Sequence, residues 1–176
     1  MSALDISPTL KLGYELGGDK LLTSFLSGDD VDAVGTHDGL AIGGGLSLLS
    51  AAKAFELELT GSYKFEQIST RNSDLVWRRY PIDLLMFYRF LGVRAGGGVT
   101  YHLAPEISGG GNLNAADAKF DNALGGIVQF DWLTSGVESG SNVSVGLRYT
   151  FIKYQLKGGG AEFSSNGAGI HLQYRF

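Results

Sequence analysis

The feature that most constrains this chain is a strict two-residue alternation, repeated along its length and carried to its last residue. In GAGIHLQYRF, Ile170, Leu172, Tyr174 and Phe176 fall on one side, and Gly169, His171, Gln173 and Arg175 on the other. A period of two belongs to a β-strand whose faces meet different surroundings. AFELELTGSYKFE repeats it, with Phe55, Leu57, Leu59, Tyr63 and Phe65 against Glu56, Glu58, Thr60, Ser62, Lys64 and Glu66. ISPTLKLGYEL, GLAIGGGLSL and NVSVGLRYTFIKY follow the same rule. RRYPIDLLMFYRF, VRAGGGVTYHL and NALGGIVQFDW follow it more loosely, Leu85 and Phe87 breaking the polarity of the first. The count is eight strands, and no stretch carries a 3.6-residue period.

Connectors alternate in character. Those near 50–54, 91–92 and 133–142 are short to moderate; those near 17–39, 67–75, 104–122 and 155–166 are longer or more polar. Both termini then fall at the short-turn end, as an even-stranded meander requires. KLLTSFL and VDAVG, flanking SGDD, are expected to prolong the first two strands as a hairpin.

Composition narrows the surroundings. The 176 residues make one domain, 1–176, with a net charge of −4 and no basic excess for nucleic acid. Cysteine is absent, which excludes disulfide scaffolds and thiolate metal sites. Glycine, at 27 residues against 3 prolines, suits a strongly curved sheet. Mean hydropathy is +0.05, and no run approaches the ~18 apolar residues of a spanning helix. Alternating strands are invisible to such an average. Met-Ser-Ala runs directly into LDISPTL, so for an exported protein the expectation is a mature form with an added start, its signal peptide absent.

Three features choose between an inward and an outward apolar face. The bands run ~9–11 residues, the length of a tilted membrane-crossing strand. Aromatics gather at both band ends: Tyr14, Tyr63, Tyr80, Tyr101 and Tyr149 toward the long loops, and Phe55, Tyr88, Phe130, Trp132, Tyr174 and Phe176 toward the short turns. That is the double girdle of interfacial anchoring. The polar face also carries a nearly balanced set of charges: Lys11, Lys64, Arg79, Arg89, Arg94, Arg148 and Arg175 against Glu15, Glu56, Glu58, Glu66, Asp83 and Asp131. The predicted fold is an all-β, eight-stranded antiparallel up-and-down transmembrane barrel, with these groups as a lumen ion-pair network. Slipping a strand by one residue sends its charges into lipid at ~2–4 kcal/mol per midplane cation, so the pattern specifies one register.

Eight strands, long loops at one end and a terminal aromatic resemble the small bacterial outer-membrane β-barrels, among them the OmpA transmembrane domain, OmpX and OmpW. The last strand resembles that family's C-terminal insertion signal, here Gly169, Leu172, Tyr174 and Phe176. The resemblance implies the bacterial outer membrane as location. It also implies outer-membrane lipid and lipopolysaccharide as surroundings, recognition by the barrel-assembly machinery, and a monomer.

Some small barrels modify lipids, so His37, His102 and His171 need weighing. His102 sits in YHLAPE, where Ala104 occupies the serine place of the His-x-Ser arrangement in lipid A deacylase barrels; Glu106 has no nucleophile beside it. The histidines are read as rim or lumen hydrogen-bonders, with a His171–Ser–Glu site across the lumen as the enzymatic alternative. SGDDVD, Ser27 to Asp32, lacks the spaced ligands of a calcium loop and reads as an acidic hairpin tip. GGGN and KGGG lack the features of phosphate loops and read as loop tips. No cofactor or metal is expected. Arg78 and Lys153 have lipid-facing parity at the long-loop rim and are candidates for lipopolysaccharide contact, ordinary solvation or pairing with loop carboxylates being the alternative.

An eight-stranded barrel has room inside only for side chains. Inward Gly43, Gly45, Gly96, Gly98, Gly125 and Gly146 thin the packing, and the charged groups refill it. The expectation is a plugged barrel of structural or surface-interaction function. Its acidic outer loops carry Asp19, Asp29, Asp30, Asp32, Asp38, Asp74, Glu106, Asp117, Asp121 and Glu162. The alternatives are an OmpW-like channel for small apolar solutes lined by Leu49, Leu85, Phe87, Ile127 and Ile152, and then a lipid-modifying enzyme.

Overall fold

The computed structural model describes residues 4–19, 35–70, 73–111, 117–134 and 142–176. Its strands are β1 (Asp5–Gly17), β2 (Gly39–Leu49), β3 (Phe55–Thr70), β4 (Ser73–Phe90), β5 (Val93–Gly111), β6 (Ala118–Lys119), β7 (Ala123–Leu133), β8 (Asn142–Phe151), β9 (Lys153–Gln155), β10 (Glu162–Ser164) and β11 (Gly167–Arg175). Eight of them form a ring. β1 pairs with β2, and pairing continues through β3, β4, β5, β7, β8 and β11. β11 returns antiparallel to β1, from Thr9↔Arg175 to Gly17↔Gly167, which leaves no open edge. β6 adds to the outer part of β5, and β9 pairs with β10 as a separate hairpin. No helix occurs among the described residues.

The alternation decides which side is which. Leu57, Leu84 and Leu172 are 42%, 43% and 49% exposed, while Glu58 and Arg89 are 0% and 4% exposed. Water would select the reverse arrangement. A closed ladder satisfies the backbone internally, and an aliphatic exterior around ionised interior groups is a solution for hydrocarbon surroundings. The chain is a transmembrane β-barrel. Its girdles pack ring on ring: Tyr63 stacks on Phe65 and tilts against Tyr80 at one end, while Phe130 meets Trp132 and Tyr174 meets Phe176 edge-on at the other.

One connector differs from expectation. Residues 67–75 are mostly ladder, paired as far as Ser69↔Asp74 and Thr70↔Ser73. β5 likewise absorbs the start of 104–122 and pairs with β4 up to Ser73↔Gly111. β4, at 18 residues, is roughly 60 Å long by strand rise, well beyond a bilayer crossing. Among the described residues, the strands that run on past the apolar band are β3, β4 and β5. The hairpin expected from KLLTSFL and VDAVG lies largely outside the described residues.

The inward face changes chemistry along this extension. Below, it carries Arg89 and Asp83; above Arg79 it carries Trp77 and Leu75. These join Ile107, Phe120, Ala123, Ile152 and Tyr154 in one buried cluster. Beyond the headgroups the wall is surrounded by water, so the extension needs an apolar core of the ordinary kind.

Candidate functional site: a plugged lumen and its cap

The lower lumen is organised on Arg94. β5 projects it inward, where its guanidinium lies 2.5 Å from Asp131, 2.7 Å from Glu56 and 3.0 Å from Glu58. Its guanidinium carbon also sits 4.1 Å from the centre of the Phe87 ring. Arg89 reaches Glu56 at 3.3 Å, and Gln173 donates to Glu58 at 2.7 Å. At the short-turn end Arg175 bridges to Asp5 at 3.0 Å and donates to Ser47, which donates to Glu56. His171 lies 2.8 Å from Asp131. Gly146 makes this last pair possible: a Cβ there would fall 1.8 Å from the Asp131 carboxylate and 2.5 Å from the His171 ring.

The upper lumen is organised on Glu15. Lys64 lies 2.6 Å away, Arg148 3.3 Å away, and the His37 ring is in direct contact. Arg148 also meets Asp83 at 2.9 Å, and Asp83 accepts from Thr100. Lys11 bridges the two levels by donating to Gln129, whose amide donates to Asp131. A gap of about 10 Å³ at this level is lined by Glu15, Lys64, Asp83, His102 and Arg148 among others.

Three members of the expected network make no ion pair among the described residues. Lys11 and Arg79 have no carboxylate within ion-pair distance among the described residues. Arg79, fully buried, instead donates to the backbone oxygens of His37 and Asp38 at 2.7 and 2.8 Å and lies 5.0 Å from the Trp77 ring. Glu66 is half-buried above the network and hydrogen-bonds with Tyr14. Their parity is inward, but Lys11 ends on the Gln129 amide, and Arg79 and Glu66 lie above the paired carboxylates. Parity alone does not specify height.

A cap closes the outer end. Residues 35–38 fold over the mouth, held by Asp38, whose carboxylate accepts from the N–H of Gly17 and of Gly35. Trp77 Nε1 donates to the Thr36 carbonyl at 2.9 Å, and Thr36 Oγ1 donates to the Ser164 carbonyl. His37 descends into the lumen through room left by Gly167, where a Cβ would meet the imidazole at 2.2 Å. Beside it His102 Nδ1 and the Tyr154 hydroxyl are 2.5 Å apart. Burial pushes the Tyr154 hydroxyl up to about 12, so it stays protonated.

The cap also aligns three groups that no sequence spacing displays. Ser165 Oγ lies 3.5 Å from His37 Nδ1, and Glu15 meets the other ring nitrogen. The order is that of a Ser–His–acid relay. Yet Ser165 is completely buried and its hydroxyl also bonds Tyr154. The series links β1, the cap and the residue just before β11. Among the described residues His171 faces Asp131 and Gln129 rather than a serine.

The rim cations are engaged. Arg78 Nε bonds Glu106, and its Nη2 donates to Ser108 at 3.3 Å. Lys153 donates to Glu162 at 2.7 Å, and that bond holds its ammonium above the ordinary lysine value. Several acidic loop groups are structural: Asp19 accepts from Ser164 N–H and Asp117 from Gly109 N–H. Asp29, Asp30 and Asp32, with the SGDDVD stretch, lie outside the described residues, as does the side chain of Asp74. Leu172 and Tyr174 of β11 and Phe176 just after it face outward, Gly169 lies against Glu15, and Phe176 N–H donates to the Pro8 carbonyl.

No protein-family model matches the chain, and no curated protein matches it in sequence. Among solved structures, Neisserial surface protein A (NspA) superposes with a TM-score of 0.59 over 97% of this chain and 96% of that one, at 12% identity. The likeness is one of fold: this chain, like NspA, is a closed eight-stranded transmembrane barrel, here with buried ion pairs filling its interior.

Proposed function

We propose that the protein is an integral bacterial outer-membrane barrel that does not conduct and acts at the surface or in envelope structure, as a monomer, through its outer loops and rim. The observation that carries this reading is the Arg94 centre. One guanidinium bonded to carboxylates from β3 and β7 spans the lumen, and the 35–38 cap held by Trp77 covers the outer end. The apolar-channel alternative is weakened by the placement of its lining. Leu85, Phe87 and Ile127 cluster together, Ile152 belongs to the cap, and Arg94 covers the Phe87 ring. A lipid-modifying activity is disfavoured by the burial of Ser165.

The test is planar-bilayer recording of protein whose folded state is verified by heat-modifiable gel mobility. The expected result is no steady current from folded protein. Large stable conductance would refute the plugged reading.

A further inference from the structure

Above the outer girdle, β5 departs from regular pairing. Register shifts between Arg78 and Tyr80, and Ala104, a non-glycine residue, takes a left-handed conformation at φ 44°. Its N–H donates to Asn122 Oδ1 at 2.9 Å. β5 pairs with β7 up to His102↔Ala123 and with β6 from Glu106↔Lys119; between them regular pairing gives way to the Asn122 bond and one from Phe120 N–H to the Pro105 carbonyl, beside a cleft of about 310 Å³. Ala104, Glu106, Lys119, Asp121, Asn122 and Lys157 line it. Backbone strain and bulges of this kind are retained where they shape a site.

We infer that this cleft binds the phosphorylated sugar headgroup of an outer-leaflet glycolipid, with Lys119 and Lys157 donating to phosphate and Asp121 accepting from sugar hydroxyls. The inference rests on the outer-membrane reading above. Charge is the first argument. Among the described residues Arg78 and Lys153 are paired with Glu106 and Glu162, whereas Lys119, Lys157 and Asp121 have no ion-pair partner. Glu106 is thus neutralised, and the cleft retains two free cations against one free carboxylate.

Height is the second argument. The cleft opens above Tyr101 and Leu124, which are exposed on the apolar wall and pair with each other. Ala104 is three residues beyond Tyr101, about 7–8 Å along the membrane normal for a strand tilted ~40°. The headgroup layer adds roughly 5–8 Å to each side of the hydrocarbon, so the ammonium groups reach the level of lipid phosphates. A soluble phosphosugar offers the same chemistry, and the experiment separates the two.

Lipopolysaccharide retained per folded protein is measured after size exclusion, for wild type, for Lys119→Ala with Lys157→Ala, for Lys119→Arg with Lys157→Arg, and for the rim variant Lys153→Ala. Retention is expected to fall at least threefold in the first pair and to persist in the other two variants. Unchanged retention in the first pair, or an equal fall in Lys153→Ala, overturns the assignment. In lipopolysaccharide-free detergent, glucosamine 1-phosphate is titrated into wild type. Weak or no binding supports the membrane glycolipid, and tight binding lost in the first pair overturns the lipid source in favour of a soluble one. Heat-modifiability and insertion into bilayers are scored alongside. Failure of wild type there sinks the outer-membrane reading itself, whereas lost retention with insertion intact isolates the cleft.

Discussion

Arg94 and Asp131 face each other at 2.5 Å across adjacent strands, both almost completely buried, and the same guanidinium holds Glu56 and Glu58. Removing one partner of a buried pair leaves a stranded charge and costs about 3–5 kcal/mol. Arg94→Met strands several carboxylates at once, so a loss at the upper end of that range is expected from urea unfolding in lipid vesicles. The same variant should show flickering conductance where wild type is silent. Stability within ~1 kcal/mol of wild type would show that the network is not what fills the lumen.

Substitutions at the two faces should separate cleanly. Leu84 is midway along the exposed apolar face of β4, and Leu84→Arg should cost ~2–4 kcal/mol in vesicle folding equilibria. Leu84→Val should cost little, since the lipid outside adapts to shape.

Glycine has two different roles here, and one measurement distinguishes them. Gly146→Val places a side chain within the Asp131–His171 contact and should destabilise by at least ~1–3 kcal/mol. At Gly61 a Cβ meets nothing within 4 Å, so Gly61→Val should be neutral or stabilising. Equal effects at both sites would contradict the inward and outward assignments.

Trp77 anchors the cap through Thr36 and packs edge-on to Phe120 and Tyr154. Trp77→Ala should cost ~3–5 kcal/mol, as large aromatic truncations do. Amide exchange at residues 35–38 should accelerate while exchange in the barrel below Arg79 stays slow. Uniform acceleration would mean that the cap is not a separate unit.

The Ser165–His37–Glu15 series gives a direct test of the non-enzymatic reading. Folded protein should not react with a fluorophosphonate probe, and Ser165→Ala should alter stability by no more than ~1–2 kcal/mol. Stoichiometric labelling at Ser165 would establish a nucleophile and reverse the conclusion.

Alternation determined the eight strands and the two faces of each, and band length, aromatic girdles and a balanced set of charges determined the solvent outside. A one-residue slip exchanges Leu57 for Glu58, and no other contact compensates for that exchange. It did not determine height. Arg79 and Glu66 share the parity of Lys64, yet one turns to backbone carbonyls and the other rises out of the network. Partners across the lumen depend on the stagger of the closed ladder: Arg94 on β5 meets Glu56 on β3, and the two strands are not neighbours. The change from charged to apolar at Trp77, the descent of His37 and the bulge at Ala104 likewise exist only once the ring has closed. Orientation is a local property of each strand, because neighbouring residues must face opposite ways. Which groups touch is set by closure, which brings together residues as far apart as His37 and Ser165.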